Sequence, residues 1–167
     1  MAFSMGHQLS APERVQAALN AAGVNAPIQE FPASTRTAQD AAATVGTSVG
    51  QIVKSLVFLA GDSPVLALVS GVNRLDTERL GVLSGAAIDK ADANRVRQAT
   101  GYAIGGVPPT GFPAPIPTFI DRDLLQYDVV WAAAGTPRHV FPIAPTELLR
   151  ITGGRVADLK LRAPFSG

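Results

Sequence analysis

Two apolar segments joined by a short turn constrain the fold of this chain most strongly. Ile52–Ala60 and Val65–Val69 are rich in β-branched and other apolar residues. Gly61-Asp62-Ser63-Pro64 lies between them and has the composition of a turn. The pattern predicts a β-hairpin, and neither strand is long enough or free enough of breaks to be a membrane helix.

Helix signals and further short strands surround the predicted hairpin. N-cap residues followed by apolar periodicity predict helices that begin at Ser10, at Thr37, at Asp76 or Thr77, and at Asp92, and Pro145 starts a late helix. Short strands are predicted at Ile28–Phe31, Ala86–Asp89, Tyr102–Ile104, Thr118–Ile120, Val129–Ala133, His139–Ile143 and Ile151–Leu159. Because helices interleave irregularly with strands, we expect an α/β fold with a mixed, mostly antiparallel, barrel-like sheet and surrounding helices.

Length and composition indicate one soluble domain. The chain has 167 residues, the size of a single domain, with no repeat and no interdomain linker. We predict a disordered N-terminal tail over residues 1–10 and a single domain over residues 11–167. The N-terminus carries no secretory signal and no apolar stretch reaches ~18 residues. Together with the absence of cysteine, these features predict a cytoplasmic protein that does not contact membranes.

The charge balance limits how the chain can bind nucleic acid. Eleven arginines and three lysines oppose thirteen acidic residues, which leaves a net charge of +1 and a pI of about 8.2. Proteins held to nucleic acid by charge alone carry a basic stripe and a domain pI above ~9. We therefore expect no binding to DNA, and any RNA substrate must be held by a local pocket with few phosphate contacts.

Several common site motifs are absent or out of context. Gly46-Thr-Ser-Val-Gly50 matches the nucleophile elbow of hydrolases, but it follows a predicted helix, whereas an elbow must follow a strand. Ser48 and Gln51 have the pattern of an ordinary cap. The two histidines, His7 and His139, are not accompanied by metal-ligand spacing. The sequence therefore predicts no metal, no nucleotide cofactor and no covalent nucleophile.

Lys54 interrupts the first strand of the predicted hairpin. Alternation places it on the face shared by Ile52, Leu56 and Phe58. A lysine there is costly unless its ammonium meets an anion, a ligand or water. The residues alone leave two interpretations open: a lysine that contacts a ligand, or a lysine on an edge strand that extends outward and protects against aggregation.

The segment Tyr102-Ala-Ile-Gly-Gly-Val-Pro-Pro-Thr-Gly111 is a second candidate. Adjacent Gly105 and Gly106 let the backbone approach a ligand closely, and two prolines stiffen the exit from the loop. Successive free N–H groups there can hold a carbonyl oxygen that becomes negative. The alternative is a rigid turn without a ligand, and the residues leave both interpretations open.

Four segments, in order along the chain, carry a resemblance to a known family. They are Ile52–Phe58, Thr100–Gly111, Pro117–Asp121 and Val130–Arg138. Over roughly Pro27–Leu159 the chain resembles the YbaK/ProX family, the free-standing relatives of the editing domain inserted in bacterial prolyl-tRNA synthetases. The resemblance implies the fold of that family and the hydrolysis of mischarged tRNA, typically tRNA for proline.

The resemblance also assigns expected site residues. The family's lysine falls on Lys54 and its glycine loop on Gly105 and Gly106, which makes these three the expected catalytic residues. The substrate-binding residues that we expect are Thr37, Ser55, Phe58, Val107, Gly111, Asp121, Gly135 and His139. Relatives specific for alanyl-tRNA carry Asn after the lysine, whereas Ser55 follows Lys54 here. The expected cargo is a small wrong amino acid, namely Cys, Ser, Thr, Ala or a non-protein amino acid.

The resulting hypothesis is a deacylase without cofactor or metal. Backbone amides of Gly105 and Gly106 would polarise the ester carbonyl, and Lys54 would hold the terminal adenosine or that carbonyl. The expected partners are the 3′ end of mischarged tRNA and prolyl-tRNA synthetase, with the chain a monomer or weak dimer. Two alternatives stay open: a non-catalytic module that binds RNA or a synthetase, and a hydrolase of small aminoacyl esters.

Overall fold

The computed structural model describes residues 8–32 and 37–162. Its helices are α1 (Ala11–Ala21), α2 (Ala38–Val45), α3 (Thr77–Ser84), α4 (Ala93–Thr100) and α5 (Pro145–Thr152). Its strands are β1 (Gln29–Glu30), β2 (Val53–Ala60), β3 (Ser63–Ser70), β4 (Ile88–Lys90), β5 (Thr118–Asp121), β6 (Val130–Ala133), β7 (His139–Ile143) and β8 (Arg155–Ala157). His7 and most of the predicted tail lie outside the described residues, so the tail stays a prediction.

The described strands form two sheets. One has the order β4-β2-β3-β5-β8 and the other the order β1-β7-β6. The predicted hairpin is confirmed as β2 and β3, which pair from Val53↔Ser70 to Ala60↔Ser63. Four of the six pairings between described strands are antiparallel, while β5 pairs in parallel with both β3 and β8. The mixed, mostly antiparallel α/β architecture is confirmed.

The barrel-like arrangement of the strands is open. In the described part of the chain, a single parallel bridge, Ile52↔Trp131, connects the residue directly before β2 to the smaller sheet. Along the same edge of β2, β4 pairs only with Phe58, Leu59 and Ala60. The stretch of edge between the bridge and Phe58 therefore has no described strand beside it, and this opening is where the pocket described below lies.

Local sequence signals determine where the helices begin. The capping box of α1 is formed, with the Ser10 N–H donating to Glu13 Oε1 at 2.8 Å and the Glu13 N–H donating to Ser10 Oγ at 3.3 Å. Thr37, Asp76 and Asp92 cap α2, α3 and α4 through side-chain oxygens. These predicted helix starts are confirmed because each cap depends only on residues within one turn.

Two strand predictions are wrong. Tyr102–Ile104 is not a strand, because turns satisfy its backbone: the Tyr102 N–H donates to Thr100 Oγ1 at 3.0 Å, and the Ala103 carbonyl accepts from the Gly106 N–H. The strand predicted over Ile151–Leu159 is also too long. Helix α5 continues to Thr152 and ends at Gly153 with φ +61°, and β8 covers only Arg155–Ala157.

Strand β3 lies at the centre of the larger sheet and is buried on both faces. Leu66 and Leu68 pack into a core cluster with α1, α4 and the smaller sheet. Val65, Ala67 and Val69 point the other way, into a cluster that includes Leu80 of α3, Phe119 and Leu159. This double burial explains why the strand is apolar at consecutive positions instead of alternating.

A buried carboxylate joins the ends of β3 and β5. Asp121 is fully buried. Its Oδ2 accepts from the Ser70 N–H at 3.0 Å and from Asn73 Nδ2 at 2.8 Å, and its Oδ1 accepts from the Asp123 N–H at 3.0 Å. These three bonds satisfy a charge that would otherwise be costly to bury, and they hold the turn that follows β3.

Replacing Asp121 by Ala should therefore destabilise the fold. The Ser70 N–H and one N–H of the Asn73 side chain would stay buried without an acceptor, at about 1–3 kcal/mol for each group, while Asp123 still accepts from the other Asn73 N–H. We expect the free energy of unfolding, measured by urea denaturation at neutral pH, to fall by about 3 kcal/mol. Asp89→Ala, at an exposed position of β4, is the matched control and should have a small effect. Equal losses in the two variants would contradict the structural role of Asp121.

Candidate active site

A pocket of about 460 Å³ borders the open part of the β2 edge. It lies between β2, the start of α2, strand β6 and the loop that follows α4. Its lining residues are Thr37, Ala38, Gln39, Ala41, Val45, Ile52, Val53, Lys54, Ser55, Leu56, Gly71, Ile104, Gly105, Val107, Trp131, Ala132, Ala133 and Val140. The lining is mostly apolar, and Lys54 is its one ionisable side chain among the described residues.

Lys54 is half-buried, and its ammonium donates a hydrogen bond to the main-chain carbonyl oxygen of Asn73. Burial lowers the pKa of Lys54 below its ordinary value of 10.5. The nearby Asp121 carboxylate raises this pKa, and the positive charge of Arg74 lowers it further. No described carboxylate forms a salt bridge with Lys54, so two of its three N–H donors are available to a ligand.

Asn73 provides the hydrogen-bond acceptor of the Lys54 ammonium, and its role was not predicted from the sequence. It is buried, and its side-chain Nδ2 donates to Asp121 Oδ2 and to Asp123 Oδ2, both at 2.8 Å. Its main-chain N–H donates to the Ser70 carbonyl at 2.9 Å. Asp121, which we expected to bind substrate, does not line the pocket, because all of these bonds turn its carboxylate inward. It positions the acceptor of Lys54 instead.

The two glycines that we expected to be catalytic have different surroundings. Gly105 lines the pocket in a left-handed conformation with φ +93°, and its N–H has no acceptor among the described residues. The Gly106 N–H donates to the Ala103 carbonyl at 3.1 Å, and Gly106 does not line the pocket. The expected pair of amide donors is therefore corrected to Gly105 alone.

Gly106 and Gly135 are required by packing. A Cβ at Gly106 would lie 2.6 Å from Thr136 Cα and 2.7 Å from the Gly135 carbonyl carbon. The Gly135 N–H donates to the Gly106 carbonyl at 2.9 Å, and a Cβ at Gly135 would lie 2.8 Å from the carbonyl carbon of Ala11. Gly135 thus holds the loop against the start of α1 and does not line the pocket.

The residues expected to size the amino-acid pocket lie close together. Thr37, Ser55 and Val107 line the main pocket, and Thr37 Oγ1 also accepts from the Asp40 N–H at 3.0 Å. Phe58 lines an adjoining lobe of about 150 Å³ that shares Ser55, Leu56, Ile104, Gly105 and Val107 with the main pocket. The Ser55 hydroxyl oxygen is buried and has no hydrogen-bond partner among the described residues.

Gly111 and His139 lie outside this pocket. The Gly111 carbonyl accepts from the Tyr102 hydroxyl at 3.2 Å. His139 Nδ1 lies 2.5 Å from Thr136 Oγ1, and its Nε2 lies 3.6 Å from Glu30 Oε2. Their visible contacts are structural ones, within the fold.

Other sequence motifs have ordinary explanations in the structure. The Ser48 hydroxyl donates to Gln51 Oε1 at 2.9 Å and caps a short 3-10 turn, as its spacing predicts. Within residues 8–32 and 37–162, no three His, Cys, Asp or Glu side chains converge as a metal site would require. None of the described helices has the length and apolar character needed to cross a bilayer.

Pocket residues from distant elements were missed by sequence reasoning. Trp131 reaches the pocket from β6, and Gly71 reaches it from the end of β3. Gly71 could have been predicted from the sequence, because Ser70-Gly-Val-Asn73 brings two polar residues and a glycine directly after an apolar strand. Trp131 carried no such signal, because its place beside Ile52 results from a pairing between the two sheets.

The aminoacyl-tRNA editing domain is the protein family whose sequence profile matches this chain, over residues 32–151. The match contains both β2 with Lys54 and the loop with Gly105. The chain belongs to the aminoacyl-tRNA editing domain family. The resemblance inferred from the four sequence segments is thereby confirmed.

Individual members of this family and their solved structures resemble the chain over most of its length. It is 30% identical to the uncharacterized protein YwhH of Bacillus subtilis, over 77% of this chain and 83% of that protein. It is 29% identical to a candidate Cys-tRNA(Pro)/Cys-tRNA(Cys) deacylase, EbsC, of Enterococcus faecalis, over 73% and 76% of the two chains. A crystal structure of a candidate trans-editing enzyme for prolyl tRNA synthetase is 50% identical, with a TM-score of 0.88, over 93% and 100% of the two chains.

The titration of Lys54 can be measured directly, since the chain has three lysines, Lys54, Lys90 and Lys160. In a ¹³Cε-lysine NMR titration, we expect the resonance that Lys54→Arg removes to have a midpoint below 10.5. Asp121→Asn should lower this midpoint further, because a charge that raises the Lys54 pKa is lost, and Arg74→Gln should raise it. A midpoint at or above 10.5 would refute the burial of the ammonium.

The same shift predicts how stability depends on pH. Between the lowered pKa of folded Lys54 and 10.5, the unfolded chain binds more protons than the folded chain. The Lys54 contribution to the free energy of unfolding should therefore rise with pH across this window. Urea denaturation of wild type and Lys54→Met across alkaline pH isolates this contribution. It would be contradicted by a difference between the two that falls with pH.

Proposed function

We propose that this protein is an aminoacyl-tRNA deacylase that removes a small wrong amino acid from tRNA for proline. The observation that carries the proposal is one half-buried ammonium, Lys54, as the one ionisable group among the described lining residues of a pocket that Gly105 also lines, with an N–H that has no acceptor among those residues. Such a pocket offers hydrogen-bond donors to an ester. Membership of the editing-domain family supports charged tRNA as the source of that ester.

The reaction needs little from the protein beyond placement and charge. Water adds to the ester carbonyl carbon, the bond from that carbon to the ribose oxygen breaks, and a proton from the water ends on the ribose oxygen. Free amino acid and tRNA are the products. Negative charge develops on the carbonyl oxygen in between, and the Gly105 N–H and the Lys54 ammonium are the donors that stabilise it or fix the adjoining ribose.

The described lining supplies no general base. No carboxylate, imidazole or thiol occurs among the described residues that line the pocket. The geometry therefore favours catalysis by positioning and by stabilisation of the developing charge, with the proton carried by groups of the substrate or by water. Each donor matters more here than at an exposed surface, because an apolar lining raises the strength of an electrostatic interaction.

The adjoining lobe is the proposed site of the amino-acid side chain. Its volume of about 150 Å³ suits a small side chain, and Val107 and Phe58 form apolar walls. The Ser55 hydroxyl is buried in this region and has no hydrogen-bond partner among the described residues. A substrate hydroxyl or thiol would satisfy it, which favours Ser, Thr or Cys as the amino acid removed.

The proposal that the substrate is tRNA for proline is based on similarity to proteins that are named for prolyl-tRNA synthetase. An 88-residue segment is 33% identical to the proline–tRNA ligase of Streptococcus sanguinis, where it covers 14% of the ligase. The crystal structure at 50% identity is described as a candidate trans-editing enzyme for the same synthetase. These similarities support tRNA for proline as the substrate. We propose that the protein acts in the cytoplasm beside that synthetase.

A deacylation panel tests the function. We expect the protein to release at least one wrong amino acid from tRNA for proline charged with Cys, Ser, Thr or Ala, and to leave prolyl-tRNA intact. Lys54→Ala should lower the rate by about 100-fold, the typical loss of one well-placed donor to the developing charge. Lys90→Ala, an exposed lysine of β4, serves as control and should retain the wild-type rate.

The same panel separates the alternatives. Equal turnover of an aminoacyl ethyl ester and of intact charged tRNA would identify a hydrolase of small esters. No turnover of any charged tRNA by wild type would leave a non-catalytic binding module. Equal rates for Lys54→Ala and wild type would remove Lys54 from the mechanism.

Ser55 can be tested separately from Lys54. Ser55→Ala should lower kcat/KM by about 10-fold for a seryl or threonyl ester and less for an alanyl ester, because one hydrogen bond to the side chain is lost. Ser84→Ala is the matched control, since the Ser84 hydroxyl is also buried without a partner but lies on α3, away from the pocket. Unchanged discrimination in Ser55→Ala would show that this hydroxyl does not read the side chain.

A further inference from the structure

The loop that follows β3, Gly71–Arg74, presents unusual chemistry beside the pocket. Gly71 lines the pocket, and the Asn73 carbonyl accepts from the Lys54 ammonium. Between them, Val72 leaves 63% of its surface exposed, which is high for an apolar residue. Arg74 follows directly and is exposed. One short segment thus combines a wall of the pocket, an exposed apolar side chain and a cation.

Arg74 differs from most arginines of the described chain because its guanidinium has no partner there. Eight others form a hydrogen bond, a salt bridge or a ring contact: Arg14, Arg79, Arg95, Arg122, Arg138, Arg150, Arg155 and Arg162. Among the described residues, Arg97 on α4 shares the unpaired state of Arg74, and neither arginine lines the pocket. Arg74, however, directly follows Asn73, whose carbonyl accepts from the Lys54 ammonium, whereas Arg97 has no such link to Lys54. Arg74 is therefore the free guanidinium next to the site.

The backbone that carries Arg74 is held on both sides. The Gly71 N–H donates to the Ile52 carbonyl at 2.8 Å, and the Arg74 carbonyl accepts from the Leu161 N–H at 2.7 Å. Between these points, the Asn73 side chain is fixed by two carboxylates. A ligand that pairs with Arg74 would order only the side chain and not the loop, which lowers the entropic cost of binding.

Arg74 and Lys54 form a local pair of cations. Their mutual repulsion contributes to the lowered pKa of Lys54, so the two charges lie near each other. Neither forms a salt bridge within the described chain. The Asp121 carboxylate near Lys54 is buried and already bonded to Ser70, Asn73 and Asp123. On a protein whose net charge is only +1, two neighbouring cations without a salt-bridge partner among the described residues mark a place for an anion.

We propose that the 71–74 loop binds the 3′-terminal phosphodiester of the tRNA, with Arg74 paired to the phosphate and Val72 packed against the adjoining sugar or base. This inference rests on the proposed function. When the ester lies in the pocket beside Lys54, the phosphate that links the terminal nucleoside to the rest of the tRNA lies one sugar away. A guanidinium suits that phosphate because it donates two parallel hydrogen bonds.

The test compares Arg74→Gln with Arg97→Gln on two substrates. One is charged tRNA, and the other is the same amino acid on 3′-aminoacyl-adenosine, which has no phosphate. For Arg74→Gln we expect kcat/KM on charged tRNA to fall by about 10-fold at low salt, mainly through KM, as for the loss of one charge-assisted hydrogen bond. Its rate on aminoacyl-adenosine should be unchanged, and Arg97→Gln should match wild type on both.

Salt dependence gives a second readout. Loss of one phosphate contact should reduce the slope of log(kcat/KM) against log[salt] by about 0.7 for a single-stranded end. An equal loss on charged tRNA and on aminoacyl-adenosine would assign Arg74 to the pocket and overturn the proposal. An unchanged rate and slope in Arg74→Gln would also overturn it.

A binding measurement tests the role of the 71–74 loop even if the wild type shows no hydrolysis. The probe is an uncharged RNA minihelix ending in CCA. We expect about 10-fold weaker binding by Arg74→Gln, a smaller loss for Val72→Ser and none for Arg97→Gln. If wild type binds this RNA but hydrolyses no charged tRNA, the proposed function fails while the loop assignment stands. Equal affinities of wild type and Arg74→Gln would refute the loop assignment alone.

Discussion

The Lys54 ammonium within an apolar strand is the interaction on which the site depends. A charge at this depth is retained only where oxygen atoms face it. The structure supplies one such oxygen from the Asn73 carbonyl and places the Asp121 carboxylate nearby. Because Asp121 is itself fully buried and bonded to the ends of β3 and β5, the position of the ammonium is tied to the centre of the larger sheet.

The wall of the pocket that contains Gly105 depends on close packing between two other glycines, Gly106 and Gly135. Gly106 lies against Gly135, and Gly135 lies against the first residue of α1, with distances that exclude any side chain. In this contact the Gly135 N–H donates to the Gly106 carbonyl, while the Gly105 N–H has no acceptor among the described residues. Gly106 therefore holds the loop in place, and Gly105 is the backbone donor that remains for a ligand.

The distribution of charge agrees with a protein that selects a small reactive group. Among the described residues, one ionisable side chain lines the pocket, and most arginines are engaged by partners within the fold. For the proposed tRNA substrate, selection would then fall to the pocket and not to a broad basic surface. There, a hydroxyl without a described partner and a small volume would distinguish side chains that differ by one group.

Much of this protein was determined by the sequence itself. Caps such as Ser10 with Glu13, and the hairpin between Val53 and Ser70, depend on neighbours within one turn or on alternation, so they could be predicted. The tertiary structure decided which candidates meet. Asn73 as the acceptor of Lys54, the inward-facing Asp121 and the approach of Trp131 to Ile52 depend on pairings between distant strands, including the parallel pairing of β3 with β5. No local pattern encodes such pairings, because their energy comes from side chains far apart in the chain that become buried together.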